Sequence, residues 1–178
     1  MNPLPSLSRR HVLKTGALAV APLILPARLL GADAPSNTLN VGVVGLGARS
    51  RGHIPGFSRI PSARVVAVCD VWDARRNSRK EAVDKLNGDR HCKRYHDYRE
   101  LIADPEVDIV TVATPDHWHA LVAVEAARAG KHIYLEKPFA YSLEEGRAVV
   151  EAVRHNNVIL QHGTQQRSSP YFQQAAYA

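Results

Sequence analysis

From Leu39 onward, short apolar runs alternate with longer amphipathic ones. "LNVGVVG" (39–45) is apolar and β-branched, so it reads as a buried strand, and glycines follow at once. "ARVVAVCD" (63–70) is a second run of the same kind. Asp73 then stands where an N-cap belongs, ahead of the charged helical segment "ARRNSRKEAVDKLN". A weak third strand falls near Arg94 and Tyr95, and a short helix from Tyr98 closes at Pro105. "VDIVTVAT" (107–114) is a fully buried strand by composition, and its helix "HWHALVAVEAARAG" ends on Gly130, a natural C′ residue. Residues 132–135 make another strand. Ser142 and Glu145 then form a capping box for "LEEGRAVVEAVRHNN", and "VILQH" (158–162) makes the last strand. Strands alternating with helices specify an α/β fold, a doubly wound parallel sheet.

Ligands of such sheets bind in the crevice beyond the carboxyl ends of the strands. Those ends carry Gly45 and Gly47, then Asp70, Thr114-Pro115-Asp116, Glu136-Lys137 and His162-Gly163-Thr164. Within "GLGARSRG" (45–52), Gly45 permits a tight turn and Gly47 lets backbone N–H groups approach a pyrophosphate at a helix N-terminus. Ala48 and Arg49 complete this candidate phosphate loop. The usual third glycine is replaced by Ser50, and Gly52 comes two residues later. Asp70 lies 23 residues after Gly47, near the ~20-residue spacing of a carboxylate that binds the adenosine ribose hydroxyls. An acid there favours NAD over NADP because it repels a 2′-phosphate. Arg49, Ser50 and Arg51 can offset such a phosphate, so NADP stays open as the alternative.

Charge changes this picture little. The formal net charge is +6 and the pI about 9.6, but half of that excess lies in residues 1–34, where Arg9, Arg10, Lys14 and Arg28 face Asp33 alone. No basic stripe with interleaved aromatics marks a nucleic-acid surface. Residues 1–34 read instead as a leader, with a basic start, an apolar stretch from Ala17 to Leu30, and Ala32-Asp33-Ala34 as a candidate cleavage site. The apolar stretch is too short to span a bilayer comfortably. Ser8-Arg9-Arg10-His11-Val12-Leu13-Lys14 resembles a twin-arginine export signal, which implies export to the periplasm through that machinery. Residues 35–38 are a linker. Cys69 and Cys92 make no CxxC pair, and Cys69 reads as a small buried hydrophobe. His117 and His119 stand two apart and point to different faces, so no shared metal is expected. Trp118 reads as packing, Cys92 and His96 as loop residues, and His162 as facing the site or as a structural histidine.

Three stretches together resemble the Gfo/Idh/MocA oxidoreductases: "GVVGLGARSRGHI", "TPDHWHALVAVEAARAGKHIYLEKPFA" and "GTQQR". The likeness runs from about Asn40 to Arg167, with Ser50 in place of a common glycine and Asp116 in place of a common asparagine. It implies a Rossmann dinucleotide-binding domain over 39–164 and the start of a second α/β domain, mostly absent from this chain, over 165–178. It also implies that Lys137 and Glu136 sit beside the nicotinamide. Lys137 would hydrogen-bond a substrate hydroxyl and help move its proton, while Glu136 orients Lys137 or contacts the cofactor. Thr114, Pro115, Asp116 and His119 would line the cofactor site. The activity implied is an NAD(P)-dependent oxidoreductase acting on a sugar, polyol or sugar derivative, and family members dimerise through the second domain. Two other readings stay open: a glycosidase that uses NAD for transient oxidation, and a non-catalytic nucleotide-binding fragment.

Overall fold

The computed structural model describes residues 37–176. The leader reading, on residues 1–34, lies outside them. Six parallel strands form one sheet: β1 (Leu39–Val44), β2 (Ala63–Cys69), β3 (Lys93–Tyr95), β4 (Ile109–Val112), β5 (His132–Glu136) and β6 (Leu160–Gly163). Their order is β3-β2-β1-β4-β5-β6, with every pairing parallel. The winding direction reverses between β1 and β4, and that switch point is where such sheets open a crevice for ligands. Among the described residues the α-helices are α1 (Ser50–Ser58), α2 (Asp73–Asn87), α3 (Tyr98–Ala103), α4 (His119–Arg128), α5 (Leu143–His155) and α6 (Pro170–Ala176).

The apolar runs are buried on both sheet faces, as near-continuous valine, isoleucine and leucine runs require. One layer packs Val41, Val43, Val65 and Val68 against Ile54 of α1 and Val83 of α2. The other packs Val44, Val110, Val112, Ile133 and Leu135 against Leu101 of α3, Val122 and Ala126 of α4, and Val149 of α5. Each buried valine, isoleucine and leucine here contributes roughly 2 kcal/mol by leaving water, so the sheet is held from both sides.

Several element ends differ from expectation, each for a local reason. Asp73 is not the N-cap of α2 but its first residue. Trp72 occupies the cap position with extended backbone and no side-chain cap. The Trp72 carbonyl already accepts from the N–H groups of Arg75 and Arg76, which starts the helix one residue early, and the Asp73 carboxylate pairs with Arg76. Strand β4 is four residues long rather than eight, because its ladders with β1 and β5 stop at Val112. After it, Pro115 opens a 3₁₀ turn over Asp116–Trp118 before α4 begins. Gly130 is the left-handed C′ residue expected: its N–H bonds Ala127 O and that of Lys131 bonds Ala126 O, a Schellman closure. At α5, Ser142 Oγ accepts from Glu145 N, but Glu145 returns to Tyr141 N rather than to Ser142 N. The last strand starts at Leu160, since the Val158 N–H bonds Val153 O and finishes α5 instead. Among the described residues no helix is long and apolar enough to cross a membrane.

Candidate functional site

The turn after β1 is built around Gly45. Its φ is +88°, and a Cβ there would lie 2.6 Å from the backbone of Ala113 and Thr114, so only glycine fits. The next N–H, of Leu46, donates to Asp70 Oδ2 at 2.7 Å. Asp70 Oδ1 accepts from Trp72 N at 2.9 Å, and the Asp70 side chain is only 7% exposed. Asp70 therefore braces the glycine turn from the end of β2, a role that motif spacing does not disclose.

Beyond Leu46 the loop opens. Among the described residues the N–H groups of Gly47, Ala48 and Arg49 have no hydrogen-bond partner, and a Cβ at Gly47 would meet nothing within 4 Å. Helix α1 follows with no side-chain cap and no acid in its first turn, which leaves its positive end unneutralised. Ser50, in the place of the third glycine, is fully buried and its Oγ donates to Gly47 O at 2.8 Å, so the hydroxyl braces the loop from within. Ser50→Ala is expected to cost about 1 kcal/mol, read as a melting temperature lower by roughly 2–4 °C in calorimetry.

Across the switch point, the segments after β4 and β5 are tied together by His119. Its Nδ1 faces Pro138 O at 2.6 Å and its Nε2 faces Thr114 O at 3.0 Å. The ring is buried, so His119 holds the two segments in place. Thr114 Oγ1 is buried without a partner. Pro115 and Asp116 open the 3₁₀ turn beside it.

Glu136, at the end of β5, is 2% exposed. Its Oε1 accepts from Arg49 Nη2 at 2.7 Å and meets His53 Nε2 at 2.8 Å. Its Oε2 accepts from Lys137 N at 3.1 Å. Burial pushes this carboxyl up, but the bonds from Arg49, His53 and the Lys137 N–H more than offset that and hold it below its ordinary range. With its amide oxygen and nitrogen exchanged, Gln165 would accept from Arg49 Nη2 at 3.2 Å and donate to Gly163 O at 2.9 Å. Glu136 thus orients Lys137 only through the backbone. The Lys137 side chain is exposed, lies next to a cis peptide with Pro138, and has no hydrogen-bond or ion-pair partner among the described residues.

His53 escaped the reading of the sequence. The available signal was its i, i+4 spacing from Arg49, which puts both side chains on one face of α1. His162, left open by sequence, packs edge-on to Phe139 at 5.4 Å. Trp118 packs edge-on to Tyr98. Cys69 and Cys92 are both buried, and burial pushes each thiol up to about 12, so neither is a nucleophile. Among the described residues no group of three or more metal-ligating side chains converges.

A tight glycine turn, free amides, an acid at the end of β2 and a buried unpartnered hydroxyl at the switch point fit a dinucleotide. Comparison with known proteins agrees: the profile of an oxidoreductase family with an NAD-binding Rossmann fold, GFO_IDH_MocA, matches residues 39–164. The chain belongs to this family. Its Gfo/Idh/MocA relatives include YrbE of Bacillus subtilis (strain 168), named an uncharacterized oxidoreductase. YrbE is 36% identical over 133 residues, which cover 74% of this chain and 37% of YrbE. Glycosyl hydrolase family 109 protein 2 of Shewanella sp. (strain ANA-3) is 39% identical over 110 residues, 60% of this chain and 24% of that protein. Among solved structures, levoglucosan dehydrogenase in complex with NADH and levoglucosan superimposes with a TM-score of 0.63 at 29% identity, covering 73% of this chain and 36% of that one. The chain therefore spans well under half the length of these relatives.

Proposed function

We propose that this chain supplies the NAD-binding part of an oxidoreductase that moves hydride between the nicotinamide and a sugar, polyol or sugar derivative. The observation that carries the reading is the carboxyl edge of the sheet. There the Gly45–Arg49 loop, Asp70, Thr114 and Lys137 come from four different strand ends around one switch point. The free N–H groups of Gly47, Ala48 and Arg49 would hold the pyrophosphate, Asp70 the adenosine ribose, and Thr114 Oγ1 the nicotinamide half. When bound, the nicotinamide takes or gives the hydride. Lys137, its side chain unengaged beside the β5 end, takes the hydroxyl proton as the neutral amine during oxidation and returns it as the ammonium during reduction. Glu136 and His119 serve as positioning residues beneath it.

The test is Lys137→Ala in a protein with measurable sugar dehydrogenase activity. Turnover is expected to fall by roughly 10²–10⁴-fold, while NAD⁺ binding, read by calorimetry, changes little. A variant that keeps its turnover would remove Lys137 from the chemistry.

A second reading is supported by the likeness to a glycosyl hydrolase family 109 protein. On it the same edge serves a glycosidase in which NAD is reduced and reoxidised within one cycle. Steady NADH production with a sugar substrate argues for the dehydrogenase, and cofactor-dependent glycoside cleavage without net NADH argues for the glycosidase. Export by the twin-arginine route to the periplasm is a further part of the proposal, resting on Arg9-Arg10 and the apolar stretch behind them.

A further inference from the structure

We infer that His53 is the positioning residue for Lys137: from helix α1 it keeps the Glu136 carboxylate, and through it the Lys137 peptide, in place when Arg49 turns toward a bound anion. The inference rests on the proposed proton-transfer role of Lys137 and goes beyond it by naming what aims that residue. Glu136 divides its two oxygens. Oε2 accepts from the Lys137 N–H at 3.1 Å, while Oε1 meets both Arg49 Nη2 at 2.7 Å and His53 Nε2 at 2.8 Å. The direction in which this carboxylate faces therefore sets where the Lys137 peptide sits, and two side chains of α1 set that direction.

The two are not equivalent. The Arg49 side chain is 50% exposed, that of His53 only 9%. Arg49 also belongs to the loop of free N–H groups, so an anion bound there competes with Glu136 for its guanidinium. His53 has no such choice. Its ring stands edge-on to Tyr134 at 5.3 Å, and Phe57 stands edge-on to Tyr134 at 5.8 Å, which holds the imidazole plane. Glu136 is kept ionised and can only accept, so the shared proton lies on Nε2 and the bond runs from His53 to Glu136. Nδ1 is buried without a partner, which leaves the ring no second hydrogen bond to turn to. A ring with one partner, packed against an aromatic, is a fixed donor; a half-exposed guanidinium is a releasable one. Past Lys137 the chain is held separately, by His119 Nδ1 at 2.6 Å from Pro138 O, so the Lys137 backbone is tied down on both sides.

The experiment follows exchange of the Lys137 amide by NMR in the full 178-residue chain with saturating NAD⁺, for the wild type, His53→Phe, His53→Gln and Arg49→Ala. His53→Phe keeps a ring but removes the donor, and is expected to speed Lys137 exchange by roughly tenfold. His53→Gln returns an N–H donor and is expected to bring the rate to within about threefold of wild type. Arg49→Ala is expected to stay within about threefold as well. In a protein with sugar dehydrogenase activity, His53→Phe is expected to lower kcat by roughly tenfold with little change in KM for the sugar, and His53→Gln to restore it. A residue that only stabilised the fold would lower the melting temperature without that split. Unchanged exchange in His53→Phe, exchange in Arg49→Ala as fast as expected for His53→Phe, or a loss that His53→Gln does not restore would each overturn the inference. The Arg49→Ala arm decides the matter even where His53→Phe fails to fold. Because exchange is read without turnover, a Lys137→Ala variant that keeps its activity would overturn the proton-transfer reading separately, and a chain that binds no NAD⁺ would overturn the cofactor reading and with it the release of Arg49.

Discussion

Gly45→Ala is expected to abolish dinucleotide binding and to lower the melting temperature by roughly 10 °C. Two costs add. The backbone at φ +88° is one that L side chains rarely adopt, which costs about 1–2 kcal/mol. The new Cβ would also sit 2.6 Å from the carbonyl carbon and oxygen of Ala113 and the nitrogen of Thr114. These are backbone atoms just past the end of β4, tied to β1 by the bond from Ala113 N to Val44 O, and they cannot rotate aside, so the segments after β1 and β4 must separate at the switch point. Overpacking of that kind costs a further ~1–3 kcal/mol, and a domain of this size loses about 2–4 °C of Tm per kcal/mol. Leu46 N–H would leave Asp70, and the loop of free amides would lose its shape. Gly47→Ala is the informative contrast. Its Cβ has open space in the folded chain, so stability changes by less than about 1 kcal/mol, whereas dinucleotide affinity falls because the methyl fills the approach to the amides. Calorimetry with and without NAD⁺ separates the two outcomes.

Glu136→Ala is expected to lower stability by about 2–3 kcal/mol, read as a Tm roughly 5–10 °C lower. The carboxylate is buried and accepts from three donors. Removing it leaves His53, whose Nδ1 already lacks a partner, with no hydrogen bond in the interior. The Arg49 side chain is half-exposed and can turn to water, so the loss is smaller than for a fully buried pair. The sign of the pH dependence follows from the direction of the shift. Glu136 is held below its ordinary 4.5 in the folded chain, so its contribution is complete above that value. It is lost as the pH falls from about 4.5 through the lower folded value. Glu136→Gln keeps the size and one acceptor oxygen but cannot titrate. Its unfolding free energy is therefore expected to fall less steeply than that of the wild type below pH 4.5. Parallel curves for the two proteins would show that Glu136 carries no such load.

The strands were readable because a parallel sheet covered on both faces needs continuous apolar runs, and β1, β2, β4 and β5 are such runs. Helix α1 was harder to read. Gly52, Pro55 and Gly56 lie inside it, and each lowers helix propensity, yet Ile54 is anchored in the layer beneath and tertiary burial outweighs propensity. Strand β6 starts at Leu160 rather than Val158, because Val158 suits a strand but is taken by the closure of α5, a competition between neighbours that periodicity cannot weigh. At the site, the reading of strand ends gathers the glycine loop, Asp70, Thr114 and Glu136-Lys137, and the fold brings these residues to one edge of the sheet. What it could not find was how the acids are spent. Asp70 is turned onto Leu46, 24 positions away, as well as onto nearby Trp72, and Glu136 onto Arg49 and His53, 87 and 83 positions away. Such pairings depend on strand order, which alternation of elements leaves open.

Hydrogen exchange read by mass spectrometry, on the full chain with and without saturating NAD⁺, tests the central claim most directly. Slowed exchange is expected in four segments only: Leu46–Arg51, Asp70–Trp72, Ala113–Asp116 and Glu136–Lys137, the backbone that meets at the β1–β4 switch point. Unchanged exchange in all four, or protection centred on another face of the sheet, would contradict it.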